Sequence, residues 1–252
     1  MNEIAASRSL EHVAEEGVRL ATAAQQADLP LRLLGGVAVW SQCPSAQTPP
    51  LRRDYGDADF VGRSTDRKRI TAFMEQEGYE ADRMFNALHG ATRLNFHDPA
   101  RDRPVDVLLD RFNMAHELDL RESTSTDGLS ISTADLLMTK LQIVNINEKD
   151  VRDLTALLLD LGFADGEIDL ERILQAAAND WGLEHTMHRT LATLDHLVGE
   201  FGLQQWHTDL VRARISELDT ALDRAPKSTR WKMRSRIGER VRWYEEPEEA
   251  RA

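Results

Sequence analysis

Three aspartates in strand-like sequence are the first candidates for chemistry. Asp57 and Asp59 are two residues apart in a segment that reads as a β-strand, and Asp106 lies in the apolar run 105–109. Residues i and i+2 of a strand point to the same side, so the carboxylates of Asp57 and Asp59 should project together. Because an unpaired buried carboxylate is costly, acids in apolar strands suggest a bound cation.

Carboxylate oxygens without a neighbouring His or Cys suit a hard cation such as Mg²⁺ or Mn²⁺. Two such ions, about 4 Å apart, could activate an attacking hydroxyl and hold the oxygens of a triphosphate. Gly35-Gly36 falls between a strand-like run and a helix-like run, where glycine permits unusual backbone angles and a helix N-terminus offers N–H groups to phosphate. Together these features predict a metal-dependent site that uses a nucleoside triphosphate (NTP). Each feature alone also has an ordinary explanation, as an exposed polar strand face or a simple turn.

A small sheet must position these residues. The pattern predicts strands at 31–34, around Asp57 and Asp59, at 91–96 and at 104–109, with helices at 7–27, 37–42 and 65–76 and a loop at 43–50. From Ser132 onward only helical patterns follow, the first beginning with a capping-box-like Ser132 and Asp135. Breaks near Asn147 and Gly162 precede further predicted helices at 167–179, 183–200, 204–223 and 227–245. We therefore predict an α+β protein, with a small mixed β-sheet domain flanked by helices (1–131) and an all-helical C-terminal domain (132–252).

The composition narrows the functional classes. The chain has 252 residues, a formal net charge of −12 and one cysteine, Cys43. One cysteine excludes an intrachain disulfide and suits a reducing cytoplasm. The sequence shows neither a signal-peptide pattern at its N-terminus nor an apolar run long enough for a membrane span, so we expect a cytoplasmic protein without a membrane partner. The negative charge disfavours binding of nucleic acid over the whole surface.

These motifs resemble the signature of the polymerase-β-like nucleotidyltransferase superfamily. That signature combines a Gly-Gly or Gly-Ser turn, a strand Asp-x-Asp and a third strand acid, here Gly35-Gly36, Asp57-x-Asp59 and Asp106. The segment 53–59 is also similar to the Arg-x-Thr-x-Asp-x-Asp element of AbiEii-type nucleotidyltransferases, which include toxins of toxin–antitoxin systems, with Tyr55 in place of Thr. Those proteins carry a Lys followed about twelve residues later by Arg-Asp, a spacing matched by Lys140 and Arg152-Asp153.

The resemblance implies roles for individual residues. Asp57 and Asp59 would bind the metal, and Asp106 would complete the site and could act as base for an acceptor hydroxyl. Lys140 would contact the triphosphate as a point charge, and Asp153 would lie near the nucleotide or Lys140. Candidates for further nucleotide contacts are Gly35, Gly36, Arg53 and Arg93.

The acceptor is left open by the sequence. It could be an RNA or tRNA end, a small molecule or a protein hydroxyl, and the net charge favours a small molecule. Basic and aromatic residues interleave between Lys227 and Tyr244 and could contact RNA, although their spread around the predicted helix also fits a solvated terminal helix. The alternative to an enzyme is a degenerate, non-catalytic nucleotide-binding module or a module that binds an antitoxin. Cys43, His185 and His188 are predicted to be structural.

Overall fold

The computed structural model describes residues 9–246, which form a mixed α+β protein. The chain divides into two compact units. The sheet unit contains the residues up to Ser41, Asp54–Phe112 and Asp119–Ile131, and the helical unit contains Gln42–Arg53, Asn113–Leu118 and the residues from Ser132 onward. The division after residue 131 that the sequence suggests stays a prediction, and each unit is described separately below.

A mixed sheet organises the sheet unit, as predicted, but it has five strands rather than the four expected from the sequence. Its strands lie in the order β1-β2-β5-β4-β3. Only β2 and β5 run parallel to each other, and the other neighbouring pairs are antiparallel. The strands are β1 (Arg32–Leu34), β2 (Ala58–Gly62), β3 (Glu80–Ala81), β4 (Arg93–Asp98) and β5 (Arg103–Leu109).

Strand alternation separates an apolar face of this sheet from a polar one. Phe60 and Val107, which are opposite each other in β2 and β5, are both fully buried. The intervening residues Asp59 and Asp106 are only partly buried. Because successive side chains of a strand point to opposite faces, the two acids share the polar face.

Four helices accompany the sheet: α1 (Val13–Gln26), α2 (Gly35–Gln42), α3 (Arg67–Gln76) and α4 (Arg83–His89). Helix α1 contacts β1 and β2 and buries Leu20, Ala21 and Ala24. It begins at Val13 rather than near residue 7, a predicted start that lies outside the described residues. Helix α4 was not predicted from the sequence, and its seven residues include no buried side chain.

The Asn86 side chain attaches helix α4 to the backbone of β4. The amide of Asn86 donates to the backbone carbonyl of Asn95 at 3.1 Å and accepts from the backbone N–H of Asn95 at 2.7 Å. The Asn86 side chain therefore satisfies the same two backbone groups that a neighbouring strand would satisfy.

The helical unit contains the remaining α-helices of the described chain. Ser132 caps the first of them, as predicted, by accepting from the backbone N–H of Asp135. Asn147 caps the second in a capping box with Asp150, so this helix begins directly after the predicted break near Asn147. The helices are α5 (Thr133–Leu141), α6 (Glu148–Asp160), α7 (Leu170–Asn179), α8 (Trp181–Leu197), α9 (Gln205–Arg224) and α10 (Thr229–Ser235). Separately, β6 (Arg111–Asn113) pairs with β7 (Glu117–Asp119), two strands that were not predicted.

The predicted terminal helix at 227–245 is wrong. Helix α10 ends at Ser235, and Gly238 has a φ of 58°, a left-handed conformation that interrupts a helix. A short 3-10 helix (Gly238–Arg240) follows, and the segment after it is anchored by two bonds: the indole N–H of Trp243 donates to the Thr186 hydroxyl, and the backbone N–H of Glu245 donates to the carbonyl of Ala115. Within residues 9–246, no helix is long and apolar enough to cross a bilayer.

Candidate active site

Asp59 and Asp106 lie side by side on the polar face of the sheet. They are opposite each other in the register of the parallel strands β2 and β5. Neighbouring strands are about 4.8 Å apart, so the two carboxylates originate from adjacent backbone positions. The side chain of Asp106 is 19% exposed, which keeps its carboxylate accessible at the surface of this face. The structure thus brings together two of the three predicted acids.

Gly35 is packed directly against Asp59. Its φ is 68°, and a Cβ atom added there would lie 2.8 Å from Oδ2 of Asp59. The preceding residue, Leu34, is opposite Asp59 in the antiparallel pair of β1 and β2. Both the backbone angle and the close approach therefore require glycine. Gly36 follows in the first turn of α2, which begins at Gly35 rather than at Val37.

Asp57 is placed differently from the prediction. Strand β2 begins at Ala58, so Asp57 precedes the strand, and its side chain is exposed. The alternation that would align it with Asp59 does not extend to this residue. Across residues 9–246, no group of three or more His, Cys, Asp or Glu side chains is arranged to hold a metal ion.

Asp106 is bound by two residues of β4. Arg93 donates from Nε to Oδ1 at 3.0 Å and from Nη2 to Oδ2 at 2.6 Å. Asn95, opposite Asp106 in the register, donates from Nδ2 to Oδ1 at 2.9 Å. The guanidinium of Arg93 also lies over the Phe85 ring of α4, 5.8 Å from its centroid. Sequence reasoning named Arg93 only as a possible phosphate contact and missed Asn95, although the two share one face of an alternating segment.

The donor chemistry at this site fits a divalent cation. Asp59 and Asp106 supply carboxylate oxygens, the ligands that Mg²⁺ and Mn²⁺ prefer. Strand register fixes their backbones next to each other, and Gly35 leaves room beside Asp59. With Asp57 just before β2, these residues are the ones that could hold the ion.

The remaining predicted residues form a charged cluster in the helical unit. The carboxylate of Asp153 in α6 accepts hydrogen bonds from Nε and Nη2 of Arg53, at 2.8 Å each. Its Oδ2 also lies 2.8 Å from Nζ of Lys140. Lys140 also lies 3.4 Å from Oδ1 of Asp150. The side chain of Asp153 is only 2% exposed and that of Lys140 only 12%. Two cations and two carboxylates thus neutralise one another in a mostly buried position.

The ionisation of this cluster follows from its pairing. Burial opposes the charge of Lys140, but the carboxylates of Asp153 and then Asp150 raise its pKa above the usual value. Burial likewise opposes the charge of Asp153, but Lys140 and Arg53 lower its pKa. Both groups are therefore held charged. Asp150 was not singled out from the sequence as a partner of Lys140, although an acid at the third position of a capped helix is a recognisable signal.

The residues predicted to be structural are well packed. Cys43 is fully buried, and burial raises the pKa of its thiol, with the carboxylates of Asp160 and Asp153 adding to the shift. His188 lies among acids of α8 and α9, with Nδ1 2.6 Å from Asp219 and Nε2 3.7 Å from Glu184. Hydrogen bonding to Glu184 and Asp219 raises the pKa of His188 to about 9.

No protein-family model and no curated protein matches the chain. The solved structures similar to it include two nucleotide-transfer or antibiotic-resistance proteins. One is the lincomycin-bound crystal structure of the lincosamide antibiotic adenylyltransferase LnuA, at 14% identity and a TM-score of 0.42, covering 58% of this chain and 98% of that one. The other is the solution structure of the antibiotic-resistance factor ANT(2'')-Ia, at 15% identity and a TM-score of 0.38, covering 70% and 96%. Identities and TM-scores this low assign the chain neither a family nor a substrate.

Proposed function

We propose that the protein is a divalent-metal-dependent nucleotidyltransferase that moves a nucleoside monophosphate from an NTP to an acceptor hydroxyl. The observation that carries this proposal is the pairing of Asp59 with Asp106 across β2 and β5, beside Gly35. Asp57, Asp59 and Asp106 would hold Mg²⁺ or Mn²⁺. When bound, the ion neutralises phosphate charge and makes the acceptor hydroxyl easier to deprotonate.

The reaction assigns a separate task to each part of the site. The acceptor oxygen forms a bond to the α-phosphorus, the bond from the α-phosphorus to the β-phosphate oxygen breaks, and pyrophosphate leaves. The hydroxyl proton passes to a base, a role that Asp106 could fill. The first turn of α2, at Gly35 and Gly36, would offer backbone N–H groups to the phosphate oxygens.

A small-molecule acceptor fits the charge of the chain better than RNA. The net charge is −12, and three of the seven basic residues between 227 and 242 make internal contacts. Lys227 pairs with Glu184, Arg242 pairs with Glu246 at 2.9 Å, and Arg234 donates to the carbonyls of Gly238 and Val241. Since RNA binding relies on free cations that face phosphates, these pairings favour a small hydroxylated acceptor.

The nucleotide roles that the resemblance implies for Lys140, Arg53 and Asp153 remain predictions. Their charges are paired with each other, so a Lys140→Gln variant separates the two roles. A role in binding the triphosphate predicts weaker NTP affinity in a variant that remains folded, whereas a structural role predicts lower stability with unchanged affinity in the folded fraction.

The proposal is tested by transfer of label from each α-labelled NTP, with Mg²⁺ or Mn²⁺, to a panel of small hydroxylated acceptors and to total RNA. Label should appear on an acceptor, and Asp59→Asn and Asp106→Asn should abolish it. Asp102→Asn is the matched control, because Asp102 is an aspartate of the sheet unit with a 98% exposed side chain. Transfer that survives Asp59→Asn would contradict the assignment.

A non-catalytic module is the second candidate, and the binding of Asp106 by Arg93 and Asn95 favours it. A degenerate site of this kind would bind NTP in a metal-dependent way without forming product with any acceptor. The AbiEii-type reading adds an antitoxin protein as a partner, which co-purification with a chromosomally neighbouring gene product would test.

A further inference from the structure

We infer that Arg93 controls access of the divalent cation to Asp106, acting as a positioning residue that must release the carboxylate for the ion to bind. This inference rests on the proposed function, because it concerns the same site. Arg93 engages both oxygens of Asp106, at 3.0 and 2.6 Å. A cation and a guanidinium would therefore compete for the same carboxylate.

The contacts around Arg93 allow such a release. Its side chain is 33% exposed, so the guanidinium is not locked in a closed core. It already lies over the Phe85 ring, 5.8 Å from the centroid, and a cation gains stability on the face of an aromatic ring. Phe85 thus offers the guanidinium a second contact when the carboxylate is taken by the ion.

Asn95 keeps Asp106 oriented throughout. Its Nδ2 donates to Oδ1 at 2.9 Å, and its backbone is opposite Asp106 in the β4–β5 register. This bond carries no charge and does not repel a cation. It leaves Oδ2, the oxygen that contacts Nη2 of Arg93, as the atom best placed to exchange the guanidinium for the ion.

The competition has a measurable consequence. A unit positive charge a few ångströms from a divalent ion in a solvated site weakens binding of that ion by about tenfold. Removing the charge at residue 93 should therefore tighten cation binding by this factor. A lysine at residue 93 keeps the positive charge, so most of the weakening of cation binding should remain.

The experiment is a Mn²⁺ titration followed by electron paramagnetic resonance, without substrate. Arg93→Gln should bind Mn²⁺ about tenfold more tightly than the unchanged protein. Arg93→Lys should stay close to the unchanged protein. Arg69→Gln is the matched control, since it removes a charge from the sheet unit at an exposed position that pairs with Asp66, and it should have no effect. Equal or weaker binding by folded Arg93→Gln overturns the inference.

Asp59→Asn separates this inference from the proposed function. Loss of Mn²⁺ binding in Asp59→Asn, without tighter Mn²⁺ binding in Arg93→Gln, would support the metal site and contradict the role of Arg93. If the unchanged protein binds no Mn²⁺, both fall. A second measurement needs no variant: saturating Mg²⁺ should shift the Arg93 Nε–H resonance and speed its exchange with water, and an unperturbed resonance in a protein that binds Mg²⁺ would overturn the inference.

Discussion

A Cβ atom at Gly35 would lie 2.8 Å from Oδ2 of Asp59. The turn between β1 and α2 therefore does two things: it lets the chain change direction, and it leaves space for a carboxylate of the candidate site. The contacting atom is the far end of a side chain, so a larger residue at position 35 would displace Asp59 rather than the strand.

Replacing Gly35 should separate stability from metal binding. Gly35→Ala should cost about 1–2 kcal/mol of unfolding free energy, because alanine is strained at a φ of 68°, and should also weaken Mn²⁺ binding by displacing Asp59. Gly166→Ala is the control, because Gly166 has a φ of 72° with open space around it. It should cost a similar amount of stability and leave Mn²⁺ affinity unchanged. Urea unfolding and Mn²⁺ titration measure the two effects, and unchanged affinity in Gly35→Ala would contradict the steric argument.

Asp153 should be required for the stability of the helical unit. Asp153→Asn leaves Arg53 and Lys140 without their shared carboxylate in a mostly buried position, which should cost about 3 kcal/mol. Glu148→Gln on the same helix removes an ion pair with Arg152 in which the Glu148 side chain is 70% exposed, and it should change stability by less than about 0.5 kcal/mol. Denaturant unfolding measures the free energy of unfolding of both variants. Equal losses of stability would contradict the expectation that a buried ion pair contributes more than an exposed one.

His188 should make the stability depend on pH. Its pKa is about 9 in the folded chain, through Glu184 and Asp219, against about 6.5 when unfolded. A raised folded-state pKa contributes stability that is fully present below about pH 6.5 and is lost as the pH rises through 9. The stability of the unchanged protein relative to His188→Gln should therefore fall between pH 6 and pH 9.5. Asp219→Asn should move this fall in stability to lower pH. A stability difference between the unchanged protein and His188→Gln that is constant with pH would exclude a contribution from His188 protonation.

Cys43 should be unreactive in the folded protein. It is fully buried, and burial raises the pKa of its thiol, so little thiolate is available at neutral pH. A thiol-specific chromogenic disulfide should label Cys43 only after denaturation in urea. Rapid labelling of the native protein would contradict this expectation and show that the 42–53 segment opens readily.

The sequence predicted the parts of the fold that leave a local pattern. The alternation around Asp59 and Asp106 reflects a sheet with one buried face, and strand spacing was enough to place both acids on the other face. The predicted cap at Ser132 likewise lies where a short polar side chain bonds to a nearby backbone N–H group, whereas Asn147 was predicted only as a break between helices and is in fact the cap of α6.

The features that were missed depend on contacts distant in sequence or on the absence of a pattern. Nothing near Asp106 in the chain indicates that Arg93 and Asn95 would bind it, because only the antiparallel pairing of β4 and β5 brings them together. Helix α4 has only seven residues, and its apolar residues Met84 and Leu88 are exposed, so it has no buried face of the kind that the search for periodicity detects. The terminal helix was predicted to be too long because a single glycine, Gly238, is a weak indication of a helix end within a segment rich in helix-forming residues.

The two hydrogen bonds between the Asn86 amide and the backbone of Asn95 have a consequence for association between molecules. Strand β3 pairs with β4 only at His97 and Phe96, and the backbone N–H of Asp82 adds one bond to the carbonyl of Asn95, so without Asn86 the N–H of Asn95 would be bare at the sheet margin. Asn86 occupies both groups. The side chain thus closes this margin to a strand from another molecule and protects the sheet against edge-to-edge aggregation.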